Sequence, residues 1–175
     1  MLTEACDVQV TVTVDVVDNC LGNSVTVTNN FDNGGATASG LFGLGDSSIT
    51  FFAVDACGNL DSCVVNVSVI ELVRPSNRCE TITGALDANG EFVLDVDSLL
   101  ADSLIGGEDF CTDVTYSLDL DILDCIDYLD FLVDSLGIAV LTYNLTVTDE
   151  SGNSSSCNNS IFLSDPLDIL SLIHI

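Results

Sequence analysis

From Val8 the chain reads Val-Gln-Val-Thr-Val-Thr-Val-Asp-Val, apolar and polar positions alternating with a period of two. Successive side chains of a β-strand point to opposite faces, so this run predicts a strand with one face buried and one in water. Ser24-Val-Thr-Val-Thr repeats the pattern, as do Val65, Val67 and Val69, and later Ile161 and Leu163. Glu80-Thr-Ile-Thr-Gly-Ala-Leu leads into Asp87-Ala-Asn-Gly, a hairpin signal, and then Glu91-Phe-Val-Leu-Asp-Val. Helical spacing is scarce. Ser98 to Leu104 predicts a turn or two of helix, and so does Asp124 to Asp134, where Asp recurs every third residue among Leu, Ile and Phe.

A longer-range repeat organises these strands. Asp55-Ala-Cys-Gly-Asn-Leu-Asp-Ser-Cys63 returns 94 residues later as Asp149-Glu-Ser-Gly-Asn-Ser-Ser-Ser-Cys157. β-rich runs precede each copy, Ser48-Ile-Thr-Phe-Phe-Ala-Val and Thr142-Tyr-Asn-Leu-Thr-Val-Thr, so each reads as strand, tight turn, strand. The Gly-Asn pair tolerates positive φ, and the Asp carboxylate is spaced to accept hydrogen bonds from the turn's own amides. A carboxylate beside turn carbonyls also suits a hard cation, which makes Asp55 and Asp149 candidate calcium ligands as well. Many short strands punctuated by Gly, Asn and Asp predict antiparallel β-sandwiches.

Alternation stops between Glu71 and Arg78, where Pro75 and both basic residues, Arg74 and Arg78, fall together. This stretch, 71–78, reads as a linker between a module at 1–70 and a longer one at 79–166. Residues 167–175 read as a tail. Its last six, Leu-Ser-Leu-Ile-His-Ile from Leu170, match the translation of a transposase-end adapter used in sequencing libraries and are set aside, His174 with them.

Charge narrows the range of partners. Twenty-eight acidic residues face two basic ones, for a formal net charge of −26; eight lie in the first module, one is Glu71, and nineteen follow. Phosphate binding needs Lys and Arg to displace counterions, so nucleic acid and anionic membrane surfaces are excluded, and cations or basic partners remain compatible. With 47% apolar residues the chain is expected to fold around packed cores. No apolar run is long enough to span a membrane.

The eight cysteines form two sets of four: Cys6, Cys20, Cys57, Cys63, then Cys79, Cys111, Cys125, Cys157. They lack the paired C-x-x-C spacing of zinc sites, so disulfides and an oxidising compartment are expected. The N-terminus carries no signal-peptide pattern. The chain is therefore read as cut from a longer secreted or cell-surface protein, Met1 not being its natural start.

The first half resembles a hyalin-repeat module through Asp18-Asn-Cys20, Gly43-Leu-Gly45 and Ala53-Val-Asp-Ala-Cys-Gly-Asn59, followed by Cys63 and alternating Val. The second half is similar to a longer relative found in large bacterial surface proteins, through Cys79, Leu86-Asp-Ala-Asn-Gly90 and Leu145-Thr-Val-Thr-Asp-Glu-Ser-Gly-Asn153. It departs from that pattern between Asp119 and Gly137, where an acidic, leucine-rich stretch replaces a short loop. The resemblance implies two tandem immunoglobulin-like β-sandwiches, an all-β chain, serving adhesion or extracellular scaffolding. It implies no catalytic residues.

Four cysteines per module permit three connectivities each. Nested pairing fits best: Cys6 with Cys63, Cys20 with Cys57, Cys79 with Cys157, and Cys111 with Cys125. On that pairing, reduction is expected to loosen the smaller first module before the second.

Enzymatic chemistry fails on inventory. There is no Lys, and without His174 there is no general base to serve a Ser or Cys nucleophile. Two readings remain. In one the modules are passive spacers among neighbouring repeats of the parent chain. In the other they bind a polysaccharide or a basic protein at the cell surface with calcium as cofactor, the candidate ligands being Asp55, Asp95, Asp97, Asp109, Asp113 and Asp149. Asp95-Val-Asp-Ser lacks the central Gly and final Glu of an EF-hand loop. The sequons at Asn66, Asn144, Asn153 and Asn158 carry little weight in a chain rich in Ser and Asn.

Overall fold

The computed structural model describes residues 6–19, 25–133 and 137–166, so Cys20 and the tail from 167 lie outside the described residues. Strands make up 52% of the described residues and helices 8%. The chain divides into two compact units, residues 1–71 and 72–175.

In the first unit the Val-Thr alternation becomes strand β1 (Val8–Thr13), which pairs antiparallel with β3 (Thr37–Phe42). A second sheet runs in the order β2 (Thr26–Asn29), β4 (Gly45–Val54), β5 (Leu60–Val69), also antiparallel. Val8, Val10, Val12, Ala38 and Phe42 from the one sheet meet Ile49, Phe51, Val65, Val67 and Val69 from the other in a single core. Thr, Ser, Gln and Asn fill most of the alternate positions, with Leu41, Phe52 and Val64 exposed among them.

The second unit is built on the long hairpin of β13 (Ile138–Asp149) and β14 (Ser154–Ser164). Leu141, Tyr143, Leu145 and Val147 of β13 and Ile161 and Leu163 of β14 are buried. β10 (Val114–Leu118) and β12 (Leu132–Val133) flank β13, and β7 (Ile82–Ala85) flanks β14. β7 runs parallel to β14, a departure from the antiparallel sheets expected. A hairpin turn does not join these two strands; 75 residues lie between Ala85 and Ile161, ample for the crossover that parallel pairing needs.

Short elements cover the sheet's inner face. They are β6 (Arg78–Cys79) paired with β9 (Ile105–Gly106), β8 (Glu91–Val93) paired with β11 (Ile122–Asp124), and helices α1 (Val96–Ala101) and α2 (Cys125–Asp130). They contribute Leu94, Leu99, Ile105, Leu123 and Tyr128 to one core with the sheet. Both helices begin where the sequence places a carboxylate to cap them. Asp95 accepts the Ser98 amide at 3.0 Å, and the Asp recurring every third residue forms a capping box, with Asp124 accepting from Asp127 N–H at 3.0 Å and Asp127 from Asp124 N–H at 3.0 Å.

The stretch read as a linker is in large part bonded into the second unit. Ser76 N–H donates to the Glu108 carbonyl at 2.8 Å, Glu108 N–H returns to Ser76 Oγ at 2.9 Å, and Ser155 Oγ donates to the Pro75 carbonyl at 2.6 Å.

Disulfide connectivity differs from the nested expectation. Cys79 and Cys157 are joined, tying β6 to the last strand. Cys6 and Cys111 are each disulfide-bonded, but Cys57, Cys63 and Cys125 are exposed free thiols, so the pairs Cys6–Cys63, Cys20–Cys57 and Cys111–Cys125 do not form. β1 pairs with β3 and β5 with β4, so the first described strand and Cys63 lie in different sheets, and the Cys63 side chain is exposed rather than enclosed between them. Cys111 lies in the loop before β10, whereas Cys125 opens α2 with its Sγ 3.6 Å from the Gly90 carbonyl. The 78-residue closure at Cys79–Cys157 belongs to the second unit, so reduction weakens that unit, by about 4 kcal/mol on chain-entropy grounds.

Three hairpin glycines hold positive φ: Gly58 at 85°, Gly90 at 80° and Gly152 at 87°. A Cβ would meet nothing within 4 Å at Gly58 or Gly152, but at Gly90 it would lie 2.5 Å from Cys125 Sγ. Gly58→Ala and Gly152→Ala should therefore each lower stability by about 1 kcal/mol from backbone conformation alone. Gly90→Ala should cost more, the ranking to be read from denaturant unfolding of the three variants.

Candidate functional site

The acidic residues singled out by sequence sort by what their carboxylates touch. Asp55 Oδ1 accepts the amides of Cys57 and Asn59, both at 2.8 Å, and Oδ2 accepts Asn59 Nδ2 at 2.6 Å. Asp149 repeats this geometry: Asn153 N–H reaches Oδ1 at 2.7 Å and Asn153 Nδ2 reaches Oδ2 at 2.9 Å. The backbone closes both turns identically, Asp55 N–H to the Asn59 carbonyl at 3.1 Å and Asp149 N–H to the Asn153 carbonyl at 3.0 Å.

Asp87 builds a third turn of this kind, accepting the amides of Asn89 at 2.7 Å and Glu91 at 3.0 Å. Its sequence, Asp-Ala-Asn-Gly, signals the turn but hides the equivalence, because Glu91 stands where the other two have Asn. Asn153, one of the sequon residues, is committed to its turn through Asp149.

Hydrogen bonds hold several of these carboxyls below the usual range. For Asp55 the chief cause is the Asn59 side chain, for Asp87 the Glu91 amide, for Asp95 the Ser98 hydroxyl and for Asp32 the Gly34 amide. Burial alone would push Asp109 up. The amides of Cys111, at 2.8 Å, and Thr112, at 3.0 Å, outweigh it and draw the carboxyl down.

Of the six candidate ligands the fold brings two together. Asp109, in the loop between β9 and β10, and Asp149, at the end of β13, each place a carboxylate oxygen within 4.8 Å of the other. Val114 at the start of β10 lies opposite Asp149, and Glu150 N–H contacts Thr112 Oγ1 at 3.4 Å, so strand register carries the loop to the turn. Asp149 is buried, and Asp109 Oδ1 is a buried oxygen that accepts no hydrogen bond among the described residues. Asp55, Asp95, Asp97 and Asp113 do not join this grouping. Asp95 caps α1, Asp97 is exposed in its first turn and Asp113 is exposed before β10.

Asp55 instead lines a cleft of about 300 Å³ in the first unit, with Asp15, Asp18 and Asp61 among the apolar side chains Val14, Val27 and Phe51. Its chemistry is acidic and apolar, with no cation or histidine in the wall among the described residues.

No protein-family model matches the chain, and no curated protein matches it either. Among solved structures it is similar to protocadherin gamma B7, extracellular cadherin domains 1–4, at 13% identity and a TM-score of 0.34, covering 91% of this chain and 42% of that one. The chain thus spans less than half the length of this neighbour.

The lowered carboxyls set a pH response. A group whose folded pKa is depressed stabilises the fold fully above its unfolded value and ceases to as pH falls through the folded one. Asp87→Ala should accordingly lower the melting temperature at neutral pH, and its gap from the parent chain should close as pH drops below about 4. A gap unchanged down to strong acid, read by thermal melts across that range, would remove the ionised turn bond from the account.

Proposed function

We propose that this chain is a non-catalytic segment of a larger secreted or cell-surface protein, two immunoglobulin-like repeats of hyalin type that act as a structural spacer or adhesion module among neighbouring repeats. The observation that carries this reading is the Cys79–Cys157 bond. It joins the opening strand of the second unit to the final strand, so tension applied through the chain ends passes through the bond and bypasses the residues between. That suits a module under load, and disulfides suit an oxidising compartment outside the cell.

Pulling the oxidised chain by its ends in a single-molecule force experiment tests the reading. The second unit should release about 260 Å less chain than after reduction, the extended length of the 78-residue closure. Equal release in both states would overturn it.

Calcium binding is the second reading, and the buried Asp109 Oδ1 beside Asp149 favours it, since hard cations take carboxylate oxygens in this way. Saturating calcium should raise the melting temperature, and Asp109→Asn should abolish the rise. A melting temperature indifferent to calcium would exclude this reading and leave the spacer. On the binding reading the partner is a polysaccharide or a basic protein.

A further inference from the structure

The stretch between Asp119 and Gly137, which departs from the repeat pattern, builds a surface of its own on the second unit. Ile122 on β11 stands directly opposite Val93 on β8, and both are exposed while Leu123 beside them is buried. α2 turns Tyr128 inward and leaves Ile126 and Leu129, three residues apart, on its outer stripe at 67% and 61% exposure. Phe131, Leu132 and Val133 continue the exposed apolar run. A lone exposed Leu needs no explanation, but half of the residues from Ile122 to Val133 are large apolar side chains left in water.

Carboxylates are interleaved with this face. Asp119, Asp121, Asp124, Asp127 and Asp130 fall within or beside it, and no Lys or Arg occurs anywhere after Arg78. Apolar area ringed by one sign of charge selects its occupant by complementarity. A second copy would set the same carboxylates against themselves across a self-complementary contact. An anionic lipid surface would be repelled in the same way.

We propose that this face docks a cationic amphipathic segment of another protein, its apolar side chains covering Ile126, Leu129 and Phe131 and its Lys or Arg side chains meeting Asp121, Asp127 and Asp130. The inference goes beyond the spacer reading, and its failure would leave that reading untouched. It requires no calcium.

The test uses the whole oxidised chain and a fluorescent, short synthetic peptide of Leu and Lys in helical amphipathic order. A Leu/Glu peptide of the same order and a Gly/Lys peptide of the same charge serve as controls. Only the Leu/Lys peptide should bind well, and added salt should weaken it. Ile126→Ser combined with Leu129→Ser should weaken binding at least about tenfold while leaving the melting temperature in place, since both side chains are exposed. Asp130→Lys, at the exposed end of α2, should weaken binding and flatten its salt dependence. Equal binding by the double variant would reduce the effect to general attraction to a polyanion and overturn the proposal. Absence of Leu/Lys binding would overturn it too, as would a dimer in sedimentation that the double variant dissociates, which would make a second copy the occupant.

Discussion

The two long hairpins of this molecule depend on one interaction, an Asp side-chain carboxyl accepting the amide hydrogens of the turn it opens. Asp55 and Asp149 each bind an Asn four residues on through its backbone and its side chain, and Gly58 and Gly152 supply the positive φ between. The turn sets the register: Val54 opposite Leu60 in one unit, Thr148 opposite Ser154 in the other. A slip by one residue would move every apolar side chain of β4 or β13 to the wet face. Burial of Ile49, Phe51, Tyr143 and Leu145 thus follows from a carboxylate at the end of each strand. Asp87 does the same for a shorter hairpin, with Glu91 in place of Asn.

Such dependence on Asp carboxyls sits within a chain of net charge −26. The local bonds favour ionisation, while summed repulsion opposes the compact state. The architecture answers by using carboxylates in place: Asp95 and Asp124 cap helices, and Asp55, Asp87 and Asp149 close turns. The acidic surface and the turn chemistry are therefore partly the same residues, and acidity need not signal a cation site. Asp109 differs, because one of its oxygens is buried without a hydrogen bond among the described residues and its neighbour Asp149 is already committed to a turn.

Strand pattern, hairpins and both helical turns were legible along the chain because each rests on residues within a few positions of one another. The period of two in Val8 to Val16 and the Asp-to-Asn spacing at both repeat copies are signals of this kind. The Asp recurring at 124, 127 and 130 read as helix, and its first two members became the capping box. The exposed face on α2 was marked only as a departure from the repeat, since spacing does not reveal which side of a one-turn helix lacks a covering layer.

By itself the sequence determined a mostly β chain, its hairpin positions and its acidity, because these follow from side-chain alternation, turn stereochemistry and composition. Only the tertiary structure decided which cysteines meet, that β7 joins β14 in parallel, and that Asp109 approaches Asp149 while Asp95 and Asp113 stay apart from them. The physical reason is that each of these depends on which strands become neighbours across dozens of residues. Loop closure over such separations changes little in free energy with length, so the choice falls to core packing rather than to any local pattern.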